Sequence, residues 1–238
     1  MESNPSLAMP PNWLQSLNQT LSRNAQLQHS KHFSVALVNP DTQETLCDFL
    51  RNEQIIHKSE DGLSYHIKPS LLAFLDSRSD IGQAFTHAKA SIELCWFFTL
   101  TKEKYRLRCK VNLWNNKSIT SSNSQLQTAF KSIWTSLNDD ELLSFKRACP
   151  GDEKKKSGDE LLQYEPQVED QIPSNFVVVE LIPERIDHFL MAPPPVVADQ
   201  RRKPQQYESL AQPFKKDRRF LHTINEEGTQ WNTVEINP

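Results

Sequence analysis

The chain has 238 residues, 37% of them hydrophobic and 24% charged, and its formal net charge is −3. That length suits one large domain or two small ones, and the small negative charge gives no general attraction to nucleic acid or anionic lipid. No stretch approaches the roughly 18 apolar residues of a membrane-spanning helix, and the first residues lack the basic and apolar regions of a secretory signal. We therefore expect a cytoplasmic protein, with the nucleus as an alternative, that binds neither nucleic acid nor membrane.

The first third of the chain predicts a helix followed by β-structure. Apolar residues recur at helical spacing over about residues 11–29, which indicates an amphipathic helix. Two β-rich runs, Phe33 to Val38 and Leu46 to Leu50, flank an Asn-Pro-Asp turn and predict a hairpin. A polar segment with a turn at Asp61-Gly62 then leads to an apolar strand, Leu71 to Leu75.

A short helix and the longest predicted strand pair occupy the centre of the chain. The helix runs from Asp80 to Lys89, and Ser79 or Asp80 is its predicted N-cap. The strands are Ser91 to Phe98 and Tyr105 to Trp114, and the second alternates apolar with polar residues. Such alternation is typical of a strand with one buried face.

Two helices and a charged insert follow. Apolar spacing behind a Ser/Asn-rich start predicts a helix over about 121–137. Asn138 and Glu141 then resemble a capping box for a helix from Asp139 to Arg147. Residues of about 150–172 carry clustered charge without periodicity, which predicts a mobile surface loop.

The C-terminal third returns to β-structure. The continuous apolar run Phe176 to Ile182 predicts a strand buried on both faces, with Ile186 to Ala192 as a separate neighbouring strand. A Pro/Gln/Arg-rich arm over about 193–216 precedes a closing hairpin, whose strands lie on either side of Gly228. Because strands dominate and no βαβ unit repeats, the order indicates an antiparallel barrel or sandwich with helices around it.

The four cysteines are widely spaced and form no CxxC pair. Buried free thiols are the favoured interpretation, and a zinc site or a disulfide frame stay open as alternatives. The cysteines are Cys47, Cys95, Cys109 and Cys149. Free thiols suit a reducing, intracellular compartment.

The order of motifs resembles the pyridoxamine 5′-phosphate oxidase-like split barrels, in particular a branch with a dedicated FMN-binding domain. The most specific match is ELCWFFTLTKEKYRL, from Glu93 to Leu107, and the matching pieces cover most of Phe33 to Pro238. The resemblance implies a mainly β (α+β) chain, 1–238, folded as one six-stranded antiparallel Greek-key split barrel with flanking helices. It also implies a homodimer with an FMN site at each end of the interface.

The resemblance also assigns the site residues. It implies FMN-binding roles for Arg51, Arg78, Ser79, Lys104, Arg106 and Trp231. It gives no catalytic residue and no metal ligand. At three positions the departure from the family pattern removes a cation, because Leu46, Asp80 and Ile81 stand where basic residues are expected. A phosphate is held by Arg or Lys, hydroxyls and a helix N-terminus, so these departures lower the expected affinity for FMN.

Ordinary structural roles compete with these assignments. Arg78 and Ser79 suit a helix cap beside a solvated arginine, and Arg106 suits a solvated strand face. Trp96 and Trp114 suit a core or a dimer interface better than flavin stacking. No HExxH, GxSxG, P-loop or GxGxxG motif is present.

Three functional hypotheses follow. The first is a split barrel with an eroded FMN site, weak or no flavin binding and no vitamin B6 oxidase activity. The second is an FMN-dependent oxidoreductase that acts on pyridoxamine or pyridoxine 5′-phosphate, in which the flavin supplies the hydride chemistry. The third is a protein-interaction module that uses the insert and the arm. FMN or another phosphorylated small molecule is the expected ligand in the first two.

Overall fold

A computed structural model of the chain describes residues 11–38, 43–58, 68–87, 91–122, 124–147, 150, 172–192 and 216–238. The predicted insert at 150–172 and the predicted arm at 193–216 therefore lie, apart from their end residues, outside the described residues. The helices are α1 (Asn12–Asn24), α2 (Asp80–His87), α3 (Ser124–Ser136) and α4 (Asp139–Ser144), with 3₁₀ turns at Gln28–Lys31 and Ser118–Ser121. The strands are β1 (His32–Val38), β2 (Thr45–Arg51), β3 (Gln54–Lys58), β4 (Lys68–Asp76), β5 (Ile92–Phe98), β6 (Glu103–Trp114), β7 (Phe176–Leu190), β8 (Arg218–Ile224) and β9 (Trp231–Ile236).

The strands form one mainly antiparallel sheet, as predicted. Its order is β2-β1-β5-β6-β7-β4-β3, and β8 pairs with both β7 and β9. The described residues thus contribute 9 strands, where the resemblance implied six. The predicted hairpin β1–β2 and the closing hairpin β8–β9 are both confirmed.

One long strand organises the sheet. β7 was predicted as two neighbouring strands, but it is a single strand of 15 residues. Its N-terminal half pairs with β4 and its C-terminal half with β8, while β6 pairs along most of its other edge. The two-strand prediction was wrong because both halves of β7 share β6 as a partner, and a sequence does not display such pairing. The β6–β7 register shifts between Arg108 and Cys109, where Glu184 of β7 is the extra residue.

The core has two parts, on opposite faces of β4 and β7. The first fills the barrel and includes Trp13, Trp96 and Tyr105, all fully buried. The second lies between the sheet and α3, where Phe130 packs edge-on against Phe176. Layers on both faces explain the continuous apolar run of β7, so the predicted double burial is confirmed.

Several boundaries differ from the sequence predictions. β3 lies in a segment predicted as polar loop, because pairing with β4 determines its structure. The 139–147 helix ends at Ser144, and the 11–29 helix ends at Asn24 before the 3₁₀ turn. The capping box of Asn138 and Glu141 is confirmed in both directions.

The described cysteines are free, but not all are buried. Cys109 is buried, Cys95 is half-buried, and Cys47 is exposed on the edge strand β2. The burial prediction for Cys47 was wrong because an apolar strand at a sheet edge leaves one face uncovered. Among the described residues no helix is long and apolar enough to cross a bilayer.

Candidate functional site

Arg51 ends β2 and is held by two carboxylates. It forms an ion pair with Glu53, and its Nη1 donates to Glu141 Oε1 at 2.9 Å. Its guanidinium also lies 5.5 Å from the centroid of the Phe74 ring. Burial lowers the pKa of Arg51, but the hydrogen bonds and charges of the two carboxylates outweigh burial and raise it. The cation expected to meet a phosphate therefore joins β2 to α4.

Arg78 is also engaged within the protein. Its Nη2 donates to Asp76 Oδ2 at 2.6 Å, and its Nη1 donates to the carbonyl of Arg147 at 2.9 Å. A further bond reaches the carbonyl of Phe145 at 3.2 Å. These carbonyls follow the last turn of α4, where backbone acceptors lack helical partners. Arg78 therefore caps the C-terminus of α4 by donating hydrogen bonds to these carbonyls.

The N-terminus of α2 carries its own cap. Ser79 Oγ accepts from the backbone N–H of Gly82 at 3.1 Å, so Ser79 is the predicted N-cap. Asp80 occupies the first turn, where its negative charge interacts favourably with the helix dipole. Gly82 allows the helix to approach β4, since a Cβ there would lie 2.2 Å from the carbonyl oxygen of Asp76.

The other two departures from the family pattern take part in packing. Ile81 is only 9% exposed and belongs to the barrel core. Leu46 is half-buried and packs against the same core. Both positions therefore contribute apolar contacts where a phosphate site needs cations.

Lys104 and Arg106 lie on the outer face of the sheet, on β6. Arg106 pairs with Glu93 at 2.5 Å, and Lys104 Nζ lies 5.4 Å from the Phe189 ring centroid. Arg106 shares a shallow depression of about 100 Å³ with three other arginines and two carboxylates. These residues are Arg108, Arg185, Arg219, Glu93 and Asp187.

Two arginines in this depression face each other, and Glu93 lies opposite one of them, Arg108, in the β5–β6 register. Arg108 and Arg185 are direct partners in the β6–β7 register, and both are exposed. No ion pair engages either of them among the described residues. Directly opposed like charges destabilise a strand pair, so an anion placed between them would be stabilising.

Trp231 begins β9 and packs on α1, away from the arginines. Its ring meets Trp13 edge-on at 5.3 Å between centroids. Its indole Nε1 is buried without a hydrogen-bond partner among the described residues. The six predicted residues therefore lie in three separate places: at the two ends of α4 with the N-terminus of α2, on the outer face of β6, and at the α1–β9 contact.

A cavity of about 650 Å³ adjoins Arg51. Besides Arg51 and Glu53 it is lined by Lys31 and by the hydroxyl residues Ser132 and Ser136 of α3. Cations with hydroxyls suit a phosphorylated small molecule. Lys31 and the serines were not predicted, because only the fold brings α3 beside the end of β2.

A buried polar cluster at the other end of the barrel was also not predicted. His188 Nε2 lies 2.8 Å from Glu103 Oε2, and the Thr20 hydroxyl lies 2.9 Å from the same oxygen. The Tyr105 hydroxyl donates to it at 3.2 Å, while the His188 ring stacks on Tyr105 with centroids 4.0 Å apart. The sequence signal that could have predicted this cluster is Glu103, an acidic residue at a position of β6 whose side chain points into the core.

The cluster keeps its carboxylate ionised. Burial alone raises the pKa of Glu103, but the hydrogen bond and charge of His188, with smaller contributions from Thr20 and Thr101, lower it below its usual value. Burial and the charge of His188 lower the pKa of the neighbouring His222 to about 4. Among the described residues no group of three or more His, Cys, Asp or Glu side chains could hold a metal ion.

Comparison with known proteins identifies the fold. No protein-family model and no curated protein sequence matches the chain. A pyridoxamine 5′-phosphate oxidase-related, FMN-binding protein from Nostoc punctiforme matches with a TM-score of 0.70 and 22% identity, over 97% of this chain and 100% of that one. PhzG from Burkholderia lata, solved with tetrahydrophenazine-1-carboxylic acid, matches with a TM-score of 0.60 and 12% identity, over 99% and 98% of the two chains.

Sequence identities of 22% and 12% support a shared fold but do not show a shared activity. Both matches extend over nearly the whole of each chain, so the likeness is not confined to one motif. The motif order of the sequence pointed to the same fold. The chain has the fold of the pyridoxamine 5′-phosphate oxidase-related split barrels.

Proposed function

We propose that the chain is a split-barrel protein with an eroded FMN site, which binds FMN with a dissociation constant above about 10 μM and does not oxidise vitamin B6 phosphates. One observation carries this proposal: the cations of the predicted phosphate cradle are used inside the protein. Arg51 binds two carboxylates, and Arg78 binds Asp76 and the end of α4.

Electrostatics at the cradle oppose a phosphate. Two arginines there pair with three carboxylates, those of Glu53, Asp76 and Glu141, and Asp80 adds a further acid in the first turn of α2. A phosphate dianion would have to displace these partners or accept their repulsion. Each charge-assisted hydrogen bond forgone costs about 1.5–3 kcal/mol, and about 1.4 kcal/mol is a tenfold change in affinity. A few such losses account for an affinity several decades below that of a tight flavin site.

Titration of FMN by flavin fluorescence quenching tests the proposal. Leu46→Arg combined with Asp80→Arg should raise FMN affinity at least about tenfold, since it adds two cations and removes one acid. Asp80→Ala is the matched control and should help less, because it only removes repulsion. Ile81 is left unchanged because it lies in the core.

The possible outcomes separate the hypotheses. Nanomolar FMN binding by the unmodified protein would refute the eroded-site proposal. If the double variant gains nothing, charge alone does not explain the weak binding, and the proposed mechanism is wrong.

An FMN-dependent oxidoreductase acting on pyridoxamine or pyridoxine 5′-phosphate is the second candidate. It is favoured by Arg108 and Arg185 beside Arg106, which form no ion pair among the described residues and offer an anion site that does not depend on Arg51 or Arg78. The Nostoc protein of the same fold is described as FMN-binding. A yellow purified protein that loses its visible absorption in Arg108→Gln/Arg185→Gln would support this candidate; a colourless protein that ignores added FMN would not.

A protein-interaction module remains the third candidate. The insert and the arm on which it depends lie outside the described residues, so this hypothesis stays a prediction.

A further inference from the structure

A second cavity, of about 320 Å³, lies between α1 and the end of the sheet formed by β6 to β9. Helix α1 buries its apolar residues in the barrel core and turns a polar stripe toward this cavity. The stripe consists of Asn12, Ser16, Gln19, Thr20 and Arg23. Opposite it stand Glu103, His188, Leu190, Phe220, His222 and Thr233. A helix packed on a sheet normally buries an apolar stripe, so polar groups on both walls indicate a space built for a polar occupant.

Two buried groups on the sheet side each have one polar atom without a hydrogen-bond partner among the described residues. Glu103 is 1% exposed, and its Oε1 has no hydrogen-bond partner within 3.5 Å among the described residues. His222 is 3% exposed; its Nδ1 lies 2.8 Å from Thr233 Oγ1, whereas its Nε2 has no partner in the part of the chain that the structure describes. A buried polar atom without a partner is costly, and an occupant that donates to Glu103 would remove that cost.

The helix side supplies a cation. Arg23 lies one turn beyond Thr20, whose hydroxyl contacts Glu103, so the guanidinium borders the same space. No ion pair engages Arg23 within the described part of the chain. Leu190 and Phe220 add an apolar wall. The lining therefore combines one uncompensated cation, one acceptor that needs a donor, and an apolar surface.

We propose that this cavity binds a small carboxylic acid that carries a hydroxyl or amino group and an apolar body. The carboxylate pairs with Arg23, the hydroxyl or amino group donates toward Glu103, and the apolar body lies along Leu190 and Phe220. The volume falls at the lower end of the range for small-molecule sites. The site shares no residue with the predicted FMN cradle, so its test does not depend on the proposed function.

NMR titration of the full-length protein with four probes tests the ligand chemistry. Three of them each differ from the fourth, L-phenylalanine, in a single functional group. The four probes are L-3-phenyllactate, L-phenylalanine, 3-phenylpropionate, which lacks the donor, and phenethylamine, which lacks the carboxylate. We expect phenyllactate or phenylalanine to bind at least about tenfold more tightly than the last two, and the stronger of the pair distinguishes a hydroxy acid from an amino acid. Equal binding of phenylpropionate, or no binding of either complete probe at about 10 mM, would overturn the proposal.

Substitutions locate the binding. Arg23→Gln should weaken the better probe about tenfold, whereas Arg185→Gln, on the opposite face of the sheet, should leave it unchanged. Ser16→Phe should abolish binding by filling the cavity without touching the Glu103–His188 pair. Asn18→Phe, at an exposed position of α1 outside the cavity, is its matched control. Binding that survives both Arg23→Gln and Ser16→Phe would place the probe elsewhere and refute this site.

Discussion

His222 shows how one residue's surroundings set a charge state. Its ring lies against Thr233 and faces His188 across the β7–β8 pair, with centroids 6.3 Å apart. Burial of the ring, and to a smaller extent the neighbouring His188, disfavours a proton on His222. The pKa of His222 therefore falls to about 4, and the ring is neutral at pH 7.

This shift makes the fold sensitive to acid. Because the pKa of His222 is about 4 in the fold and about 6.5 when unfolded, the unfolded chain binds the extra proton first as the pH falls. The stabilising contribution is present above about pH 6.5 and is lost toward pH 4. We expect His222→Gln to flatten this part of the stability profile by on the order of 2 kcal/mol, a value reduced because the cavity opens to solvent.

Urea unfolding between pH 7 and pH 4 measures this effect. His29→Gln, at an exposed position, is the control and should leave the slope unchanged. An NMR titration that finds the His222 pKa above 6 would contradict the prediction.

At the scale of elements, α4 is a short helix whose N-terminus is capped by neighbouring residues and whose C-terminus is held by a residue distant in sequence. Asn138 and Glu141 satisfy its N-terminus locally. Its C-terminus depends on Arg78, which reaches it from the β4–α2 turn while bound to Asp76. A helix of 6 residues has little stability of its own, so these contacts determine whether it forms.

Arg78→Ala should therefore cost about 1–3 kcal/mol in the free energy of unfolding, because carbonyls at the end of α4 and the carboxylate of Asp76 lose a charged donor. Arg147→Ala removes an exposed arginine in the same segment and should cost under about 0.5 kcal/mol. Thermal and urea unfolding compare the two variants. Equal stabilities would show that Arg78 does not support α4.

For the whole molecule, the homodimer implied by the resemblance remains a prediction. Trp96, for which the sequence allowed either a core or an interface position, is buried in the core together with Phe98. Phe49 and Phe97, by contrast, are 70% and 42% exposed on the outer face of the sheet. Exposed aromatic residues on a sheet face are typical of an interface between subunits.

We expect a homodimer that buries more than about 2,000 Å² of total surface. Light scattering at micromolar concentration measures its mass directly. Phe49→Ser/Phe97→Ser should shift the protein toward monomer, whereas Leu143→Ser, at an exposed apolar position of α4, should not. A monomeric unmodified protein would refute the prediction.

Much of the architecture was readable from local pattern. The alternation in β6, the apolar spacing of α1 and α3, and the capping box of Asn138 and Glu141 each reflect forces between residues close in sequence. The double burial of β7 was readable too, since a strand covered on both faces has no polar side to display. The split-barrel fold itself was indicated by the resemblance of the ordered motifs to a known family.

The chemistry of the sites was decided only by the tertiary structure. The sequence shows that Arg51 and Arg78 are cations, but not that Glu141 and the end of α4 already occupy them. It shows Glu103 as an acid in a strand, but not the His188 that lies 85 residues away and completes its pair. Charge and hydrogen bonding act over a few ångströms in space, so partners brought together by β7 and α1 leave no local trace in the chain.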